Sequence, residues 1–172
     1  MNDKLKDIEL LLLDVDGVMT DGRIIWDANG TEIKFFNVKD GHGIKLIQRA
    51  GIQVGIITGR TSPVVDLRAR ELGIEILYQG ALRKLDSYDE IKQRTGLEDH
   101  QIAYMGDDVI DVPVMRRVGF SAAPADALPE VRAVADYVAR SRGGWGAVRE
   151  VCDLLLKGCG MWQQLVADRY EL

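Results

Sequence analysis

The feature that most constrains the fold is a run of four leucines followed at once by two carboxylates. Residues 10–13 are leucines, and Asp14, Val15, Asp16 and Gly17 come directly after them. A short, unbroken apolar run predicts a strand buried on both faces, as in a parallel sheet, and it is too short to cross a bilayer. Because open α/β sheets bind ligands at the carboxyl ends of their strands, we expect a site where this strand ends.

The two carboxylates alternate along the predicted extended backbone, so their side chains point the same way. Like charges at that spacing resist joint ionisation unless a cation or a proton lies between them. Taken alone, the pattern fits an acidic strand end that caps a turn equally well, because short motifs recur by chance. Residues elsewhere in the chain are needed to distinguish a turn cap from a functional site.

Length and charge limit the classes of protein to consider. The chain has 172 residues and a formal net charge of −5. A domain of this size can bury a sound core without disulfides, and the acidic balance argues against nucleic acid as the main partner. The first nine residues contain no long apolar segment, so we expect no signal peptide and no membrane partner. We expect Cys152 to be a buried small hydrophobe, Cys159 to be a reduced thiol and the protein to be cytoplasmic.

Strand-like and helix-like segments alternate along the chain, which predicts an α/β fold with a doubly wound, mainly parallel sheet. The sequence shows no internal repeat or second domain. We expect one domain over residues 1–158 and a C-terminal tail over 159–172. The predicted strands after the first are 53–57, 74–78, 101–105, 120–122 and 137–138, and the predicted helices are 41–50, 63–72, 84–96, 112–118 and 147–157.

A β-hairpin insertion is predicted at about residues 22–37. Asn29-Gly30 stands between two strand-like runs, 23–26 and 31–36, which is a strong hairpin signal. The hairpin follows the first strand where a crossover helix would be expected. Its apolar side chains are too many for an isolated ribbon in water, so we expect it to pack on another subunit. These side chains are Ile24, Ile25, Trp26, Ile33, Phe35 and Phe36.

Polar residues follow three of the predicted strands and should meet at one sheet edge. Asp14 and Asp16 end the first strand, Thr58 follows the strand 53–57, and Asp107 follows the strand 101–105, while Lys84 begins a helix. Neighbouring strands are about 4.8 Å apart, so their end groups can share one ion. Clustered carboxylates without a Cys or His set suit Mg²⁺. Together with a lysine and a hydroxyl they predict a phosphoryl-transfer site.

The chemistry of these groups suggests a role for each of them. Asp14 is the expected nucleophile and forms an aspartyl-phosphate, while Asp16 protonates the leaving alkoxide and then activates water. Asp14 and Asp107 are the expected Mg²⁺ ligands, with the backbone carbonyl of Asp16 as a further candidate. Thr58 is expected to donate to phosphoryl oxygens and Lys84 to neutralise charge in the transition state. Behind the metal ligands we expect Asp108 and Asp111, the latter an equally good helix N-cap.

These motifs, in this order, resemble those of the haloacid dehalogenase superfamily of phosphatases. Residues 14–18 look like its first motif, Thr58-Gly59-Arg60 like the second, Lys84 like the third and residues 106–111 like the fourth. The resemblance implies a Rossmann-like fold of the haloacid dehalogenase type and hydrolysis of a phosphate ester with Mg²⁺ as cofactor. One such motif would be a weak signal, whereas four in order at strand ends are a strong one.

Further segments are similar to a narrower family, the 3-deoxy-D-manno-octulosonate 8-phosphate phosphatases. They are Asp21-Gly22 with the hairpin and the stretches 36–44, 77–80 and 146–152. This similarity implies that there is no separate cap domain, that the hairpins assemble a homotetramer, and that the enzyme acts in lipopolysaccharide precursor synthesis. The substrate contacts that it implies are Asp16, Asn37, Val38, Lys39, Asp40, Gly41, Lys45, Gly59, Arg60, Arg68 and Lys84.

Two departures from the family pattern and three alternatives stay open. Lys45 stands where an arginine is common, which keeps the charge but loses the bidentate fork, and Trp145 interrupts a glycine-rich loop. A phosphatase for a nine-carbon sugar acid 9-phosphate would have the same catalytic set. A receiver domain is disfavoured, because receivers place their paired acids before the phospho-acceptor. An inactive relative is the third alternative, although all four motifs are present.

Overall fold

The leucine run forms a buried strand of a parallel sheet, as the sequence predicts, and it lies third among six strands. The computed structural model describes residues 2–172. The strands are β1 (Leu10–Leu13), β2 (Ile25–Trp26), β3 (Glu32–Ile33), β4 (Gln53–Ile57), β5 (Ile76–Tyr78), β6 (Ile102–Met105), β7 (Phe120–Ala123) and β8 (Tyr137–Val138). The helices are α1 (Asn2–Leu5), α2 (Val38–Arg49), α3 (Pro63–Leu72), α4 (Lys84–Thr95), α5 (Val112–Met115), α6 (Pro129–Arg132) and α7 (Ala147–Gly158).

The sheet has the strand order β5-β4-β1-β6-β7-β8, with helices on both faces. Because side chains alternate along a strand, Leu11 and Leu13 enter one core layer, with residues of α2, α3 and α7. Leu10 and Leu12 enter the other layer, where Tyr88 of α4 is also buried. None of the four leucines has exposed surface. This confirms the predicted doubly wound fold and explains why β1 carries no polar side chain.

Strand register brings the predicted polar groups to one edge of the sheet. Leu13, the last residue of β1, pairs with Ile56 of β4 and with Met105 of β6. The next residue, Asp14, donates its N–H to the Met105 carbonyl at 3.0 Å. Thr58, which follows β4, donates its N–H to the Tyr78 carbonyl at 2.9 Å. The strand ends therefore deliver their polar residues to adjacent positions.

The predicted hairpin is present as a separate antiparallel pair, β2 and β3. Its turn is fixed by Asp27, whose carboxylate accepts the N–H groups of Asn29 and Thr31, both at 2.8 Å. The paired strands are shorter than predicted, at two residues each. The apolar side chains of Trp26 and Phe35 are 56% and 66% exposed, so apolar surface of the ribbon is uncovered in the single chain.

Several element boundaries differ from the prediction. α2 begins at Val38 rather than at residue 41, because the Asn37 side chain accepts the Lys39 N–H at 2.8 Å and caps the helix. α1 and α6 were not predicted. A π-helical turn, Gln163–Ala167, follows α7, and Val166 within it is buried in the core. The division into a domain and a tail at residue 158 stays a prediction. No helix within residues 2–172 is long and apolar enough to span a membrane.

Glu150 of α7 holds the connection that follows β8. Its carboxylate accepts the Tyr137 hydroxyl at 2.6 Å and the N–H groups of Arg140 and Ser141 at 3.0 and 3.2 Å. Burial acts to raise the pKa of Glu150, but these hydrogen bonds outweigh it and the pKa lies below its ordinary value. The ionised carboxylate therefore stabilises the folded chain.

We expect Glu150→Gln to lower the free energy of unfolding by about 1–2 kcal/mol at neutral pH, because it weakens hydrogen bonds to a charged group. Since the folded-state pKa is depressed, this contribution is present above the unfolded pKa of about 4.3 and is lost as pH falls through the folded value. Urea unfolding at pH 7, 5 and 3 measures this contribution, and the free energies of unfolding of the wild type and the variant should converge in acid. Glu130→Gln, at an exposed position on α6, is the control. A difference that stays constant with pH would contradict the assignment.

Candidate active site

Three carboxylates converge where β1 and β6 end. Asp14, Asp107 and Asp111 each place one oxygen within 4.8 Å of the others. Asp14 follows β1 directly, Asp107 follows β6 after one glycine, and Asp111 immediately precedes α5. Asp14 and Asp111 are buried. The Asp107 Oδ1 atom is buried without a hydrogen-bond partner, so it is free to bind something that the protein itself does not supply.

Lys84, the first residue of α4, places its ammonium group among these acids. Its Nζ lies 3.0 Å from Asp14 Oδ1 and 2.6 Å from Asp111 Oδ1, and it donates to the Tyr104 hydroxyl at 3.2 Å. Burial acts against the charge, but Asp14 and Asp111 outweigh it and raise the pKa of Lys84 above its usual value. The lysine is therefore a fixed, protonated cation beside Asp14.

Asp111 connects this lysine to the loop that carries Asp107. Its Oδ1 also accepts the Tyr104 hydroxyl at 2.6 Å. Its Oδ2 accepts the N–H groups of Asp107 and Asp108 at 3.0 and 3.1 Å. Asp111 occupies the N-cap position of α5, but its side chain makes no capping hydrogen bond and serves the preceding loop and Lys84 instead. Asp108 contributes its N–H, while its carboxylate turns to the Val109 N–H at 2.6 Å.

The electrostatics of the cluster fit a divalent cation. Burial raises the pKa of Asp14 to about 6, against the opposing effect of Lys84. Burial and the charges of Asp14 and Asp111 raise the pKa of Asp107 to about 8. One lysine cannot neutralise three adjacent carboxylates, and a hard cation with oxygen ligands removes the remaining repulsion. Asp14 and Asp107, the predicted ligands, are thus placed to hold Mg²⁺.

Asp16 lies apart from this acid cluster. Its carboxylate contacts the Lys34 ammonium and lies 3.5 Å from Arg60 Nε. Arg60 Nη2 also lies 2.8 Å from Glu32 Oε1 on the hairpin. Thr58 is buried beside Arg60 at the end of β4. The predicted catalytic residues therefore form two neighbouring groups, one centred on Lys84 and one on Asp16.

The residues at the start of α2 that are predicted to contact substrate make a third set of contacts, with partners outside these two groups. The Asn37 side chain donates to the Gly144 carbonyl at 3.2 Å. Asp40 is buried, which raises its pKa, and it accepts the Arg149 N–H at 2.8 Å. Arg68 stacks on Phe36, with its guanidinium carbon 5.4 Å from the ring centroid. The other predicted substrate contacts in this segment are Val38 and Lys39, both exposed, and Gly41, which packs under Arg68.

Lys45 does not join either group. It lies toward the other end of α2, and its Nζ donates to the Leu72 carbonyl at 2.6 Å, at the C-terminus of α3. A cation at that position stabilises the helix end. The geometry therefore gives no support to a substrate contact by Lys45.

Sequence reasoning missed three residues of the site, namely Glu32, Lys34 and Tyr104. The alternation in Glu32-Ile33-Lys34-Phe35 was available as a signal that two charged residues share one side of the second hairpin segment. Tyr104 lies in an otherwise apolar buried strand, where its hydroxyl must find a partner. That requirement could have pointed to the adjacent strand ends.

Comparison with known proteins places the chain in a family. The model of haloacid dehalogenase-like hydrolases matches residues 74–150. The 3-deoxy-D-manno-octulosonate 8-phosphate phosphatase KdsC of Escherichia coli K12 is 50% identical over 157 residues, which cover 91% of this chain and 84% of that protein. The chain belongs to the KdsC family of haloacid dehalogenase-like hydrolases. It is therefore a phosphatase-type hydrolase, as its four motifs predict.

Solved structures of the KdsC family share the whole fold. The Yersinia pestis 3-deoxy-D-manno-octulosonate 8-phosphate phosphatase is 48% identical, with a TM-score of 0.91, and the match covers 93% of this chain and 86% of that one. The Moraxella catarrhalis phosphatase, solved in complex with magnesium, phosphate and KDO, is 42% identical, with a TM-score of 0.95, and the match covers 98% and 97%. The predicted fold type and cofactor thus agree with those of solved relatives.

Proposed function

We propose that this member of the KdsC family hydrolyses 3-deoxy-D-manno-octulosonate 8-phosphate to the free sugar acid and phosphate, with Mg²⁺ as cofactor, in lipopolysaccharide precursor synthesis. The observation that carries the proposal is the buried cluster of Asp14, Asp107 and Asp111 around Lys84. The relatives named for this activity and the Moraxella complex with magnesium, phosphate and KDO support it.

In the proposed reaction a carboxylate oxygen of Asp14 attacks phosphorus, and the bond from phosphorus to the sugar oxygen breaks. Asp16 gives its proton to that leaving oxygen as the aspartyl-phosphate forms. Asp16 then takes a proton from the water that attacks phosphorus, which frees inorganic phosphate and regenerates Asp14. When bound, Mg²⁺ supplies positive charge that offsets the repulsion between carboxylate and phosphate. Asp14, Asp107 and the Asp16 backbone carbonyl would hold it.

Lys84 and Thr58 act on the phosphoryl group in this scheme. Lys84 is protonated and fixed by Asp111 and Tyr104, so it offers its charge without reorganising during the reaction. Thr58 ends the neighbouring strand and is buried at the same edge. Arg60 is 37% exposed beside Asp16, which leaves part of its guanidinium open to the carboxylate of a sugar acid.

Phosphate release from a panel of sugar phosphates, with Mg²⁺ and with EDTA, tests the proposal. We expect EDTA to reduce the rate by about a hundredfold or more, because the repulsion at the acid cluster returns. We expect the eight-carbon sugar acid phosphate to exceed its nine-carbon analogue in kcat/KM by about tenfold or more. A preference for the nine-carbon substrate would keep the mechanism and change the substrate. No release from any compound by a folded protein would refute the proposed activity.

We also propose that the chain assembles as a homotetramer through its hairpins, in the cytoplasm. The exposed apolar side chains of the hairpin support the assembly, since Ile24, Trp26 and Phe35 are all more than half exposed. Sedimentation velocity should give four copies for the wild type and a smaller species for Trp26→Asp. Leu67→Asp, at an exposed apolar position on α3, is the control. A monomeric wild type at micromolar concentration would contradict the proposal.

A further inference from the structure

In the hairpin strand β3 and the residues that follow it, the charged side chains are buried and the apolar side chains are exposed, which is the reverse of the usual arrangement. Glu32 and Lys34 share one face, and their side chains are 7% and 1% exposed. Ile33 and Phe35 share the other face and are 39% and 66% exposed. A lysine is rarely buried so completely unless it is paired, since removing its charge from water is costly. The buried face therefore requires partners of opposite charge.

Those partners come from the two strand ends that form the site. The Lys34 ammonium contacts the Asp16 carboxylate and lies 3.4 Å from Glu32 Oε1. Arg60 lies 2.8 Å from that same Glu32 oxygen and 3.5 Å from Asp16 Oδ2. The Ser62 hydroxyl donates to the other Glu32 oxygen. Two cations and two anions thus alternate in a closed ring, which joins the hairpin to the loops after β1 and β4.

Asp16 is the residue of this ring to which the proposed reaction assigns proton transfer. Its side chain is only 20% exposed, and it sits in a loop where Gly17 has a φ of +91°. Without Lys34 the carboxylate could rotate toward solvent or toward Arg60 alone. A catalytic group that has to be within hydrogen-bond reach of a reacting atom loses much of its effect after a displacement of about 1 Å.

We propose that Lys34 is a positioning residue of the phosphatase reaction, which holds the Asp16 carboxylate in the orientation from which it exchanges a proton with the leaving oxygen. The inference rests on the proposed function, because it assigns that role to Asp16. In the contacts that the structure records for it, Lys34 meets neither Asp14 nor Asp107, and it meets Asp16 at the carboxylate rather than at the backbone carbonyl that would hold the metal. It acts through Asp16, so its removal should matter only where Asp16 matters.

A comparison of two substrates with different leaving groups distinguishes a positioning role of Lys34 from a merely structural one. An alkyl sugar phosphate needs a proton donor as its bond to phosphorus breaks, whereas p-nitrophenyl phosphate does not, since its phenolate leaves unaided. For both substrates kcat/KM reports the steps up to formation of the aspartyl-phosphate. We expect Lys34→Met to lower kcat/KM for the sugar phosphate by about a hundredfold and to leave that for p-nitrophenyl phosphate nearly unchanged. Lys34→Arg should restore much of the loss.

A double-mutant cycle with Asp16→Asn completes the test. If Lys34 acts through Asp16, Lys34→Met should add nothing to the loss already caused by Asp16→Asn. Lys92→Met on α4, which removes the 2.7 Å ion pair of Lys92 with Asp99, is the matched control and should leave the hydrolysis of both substrates unaffected. Circular dichroism and thermal unfolding establish that each variant is folded, and Lys34→Gln replaces Lys34→Met if the latter is not.

Equal losses with both substrates, full additivity with Asp16→Asn, or no loss at all would overturn the inference. The failure of the proposed function is distinguishable from these results. If the wild type prefers another alkyl sugar phosphate, the proposed substrate is wrong, and the comparison of leaving groups is made with that compound instead. If the folded wild type hydrolyses neither alkyl nor aryl phosphates, the proposed function fails and the role of Lys34 fails with it.

Discussion

Asp14→Asn is expected to lower phosphate release by about 10⁵-fold or more while the chain stays folded. An amide oxygen is a poor nucleophile toward phosphorus, and no other carboxylate in the described cluster is free to replace it. Asp111 is committed to Lys84, Tyr104 and two N–H groups. Asp107 is a proposed ligand of the metal. The loss should therefore be the same with sugar and aryl phosphates.

The same substitution is expected not to destabilise the chain in EDTA at pH 8. Burial raises the pKa of Asp14 to about 6, above its unfolded value of about 3.9. A raised carboxyl pKa means that the ionised form costs stability, and that the cost grows as pH rises from about 4 through 6. The neutral amide removes this cost, although Lys84 loses one of its two carboxylate partners. Near pH 4 the two proteins should become alike.

Thermal unfolding in EDTA and phosphate release with Mg²⁺ measure the two effects separately. Asp108→Asn is the matched control, since its carboxylate is exposed and turns to its own loop. A variant that retains more than about a thousandth of the wild-type rate would point to a different nucleophile. A variant that loses both activity and stability would mean that Asp14 serves the fold rather than the chemistry.

The parts of the fold that the sequence predicts best are those fixed by local pattern. A run of four leucines is enough to predict a strand that is buried on both faces, whichever strands lie beside it, and β1 forms there. Lys84 follows a strand and a loop and begins α4 as expected. The parallel register then brings Asp14 and Asp107 together as a consequence of topology. The proposed catalytic site follows from these few local facts.

The parts that the sequence does not predict depend on contacts between distant segments. In the hairpin, Glu32 and Lys34 are buried because Asp16 and Arg60 provide countercharges, and neither partner can be read from the hairpin itself. An isolated ribbon would be expected to bury Ile33 instead. Periodicity gives the two faces of a strand but not which of them is covered.

Asp111 illustrates the same limit and gives the second large expected effect. Local pattern makes it an N-cap, but tertiary contacts direct its carboxylate to four donors, one oxygen serving Lys84 and Tyr104 and the other the N–H groups of Asp107 and Asp108. It has no exposed surface. We expect Asp111→Ala to lower the free energy of unfolding by about 3–5 kcal/mol, because it removes one of the two carboxylate partners of a buried cation and leaves buried donors unpaired.

Urea unfolding with circular dichroism measures this loss, and Asp108→Ala, one turn away on the surface, should cost less than about 1 kcal/mol. Asp111→Asn should fall between the two, since an amide oxygen still accepts one set of donors while its NH₂ group faces the other. Activity should fall with Asp111→Asn even where it is folded, because Lys84 and the Asp107 loop lose their common anchor. If Asp111→Ala instead matches Asp108→Ala in stability, the four hydrogen bonds are not what holds Lys84 against Asp14, and that part of the site must be held by the packing of α4 alone.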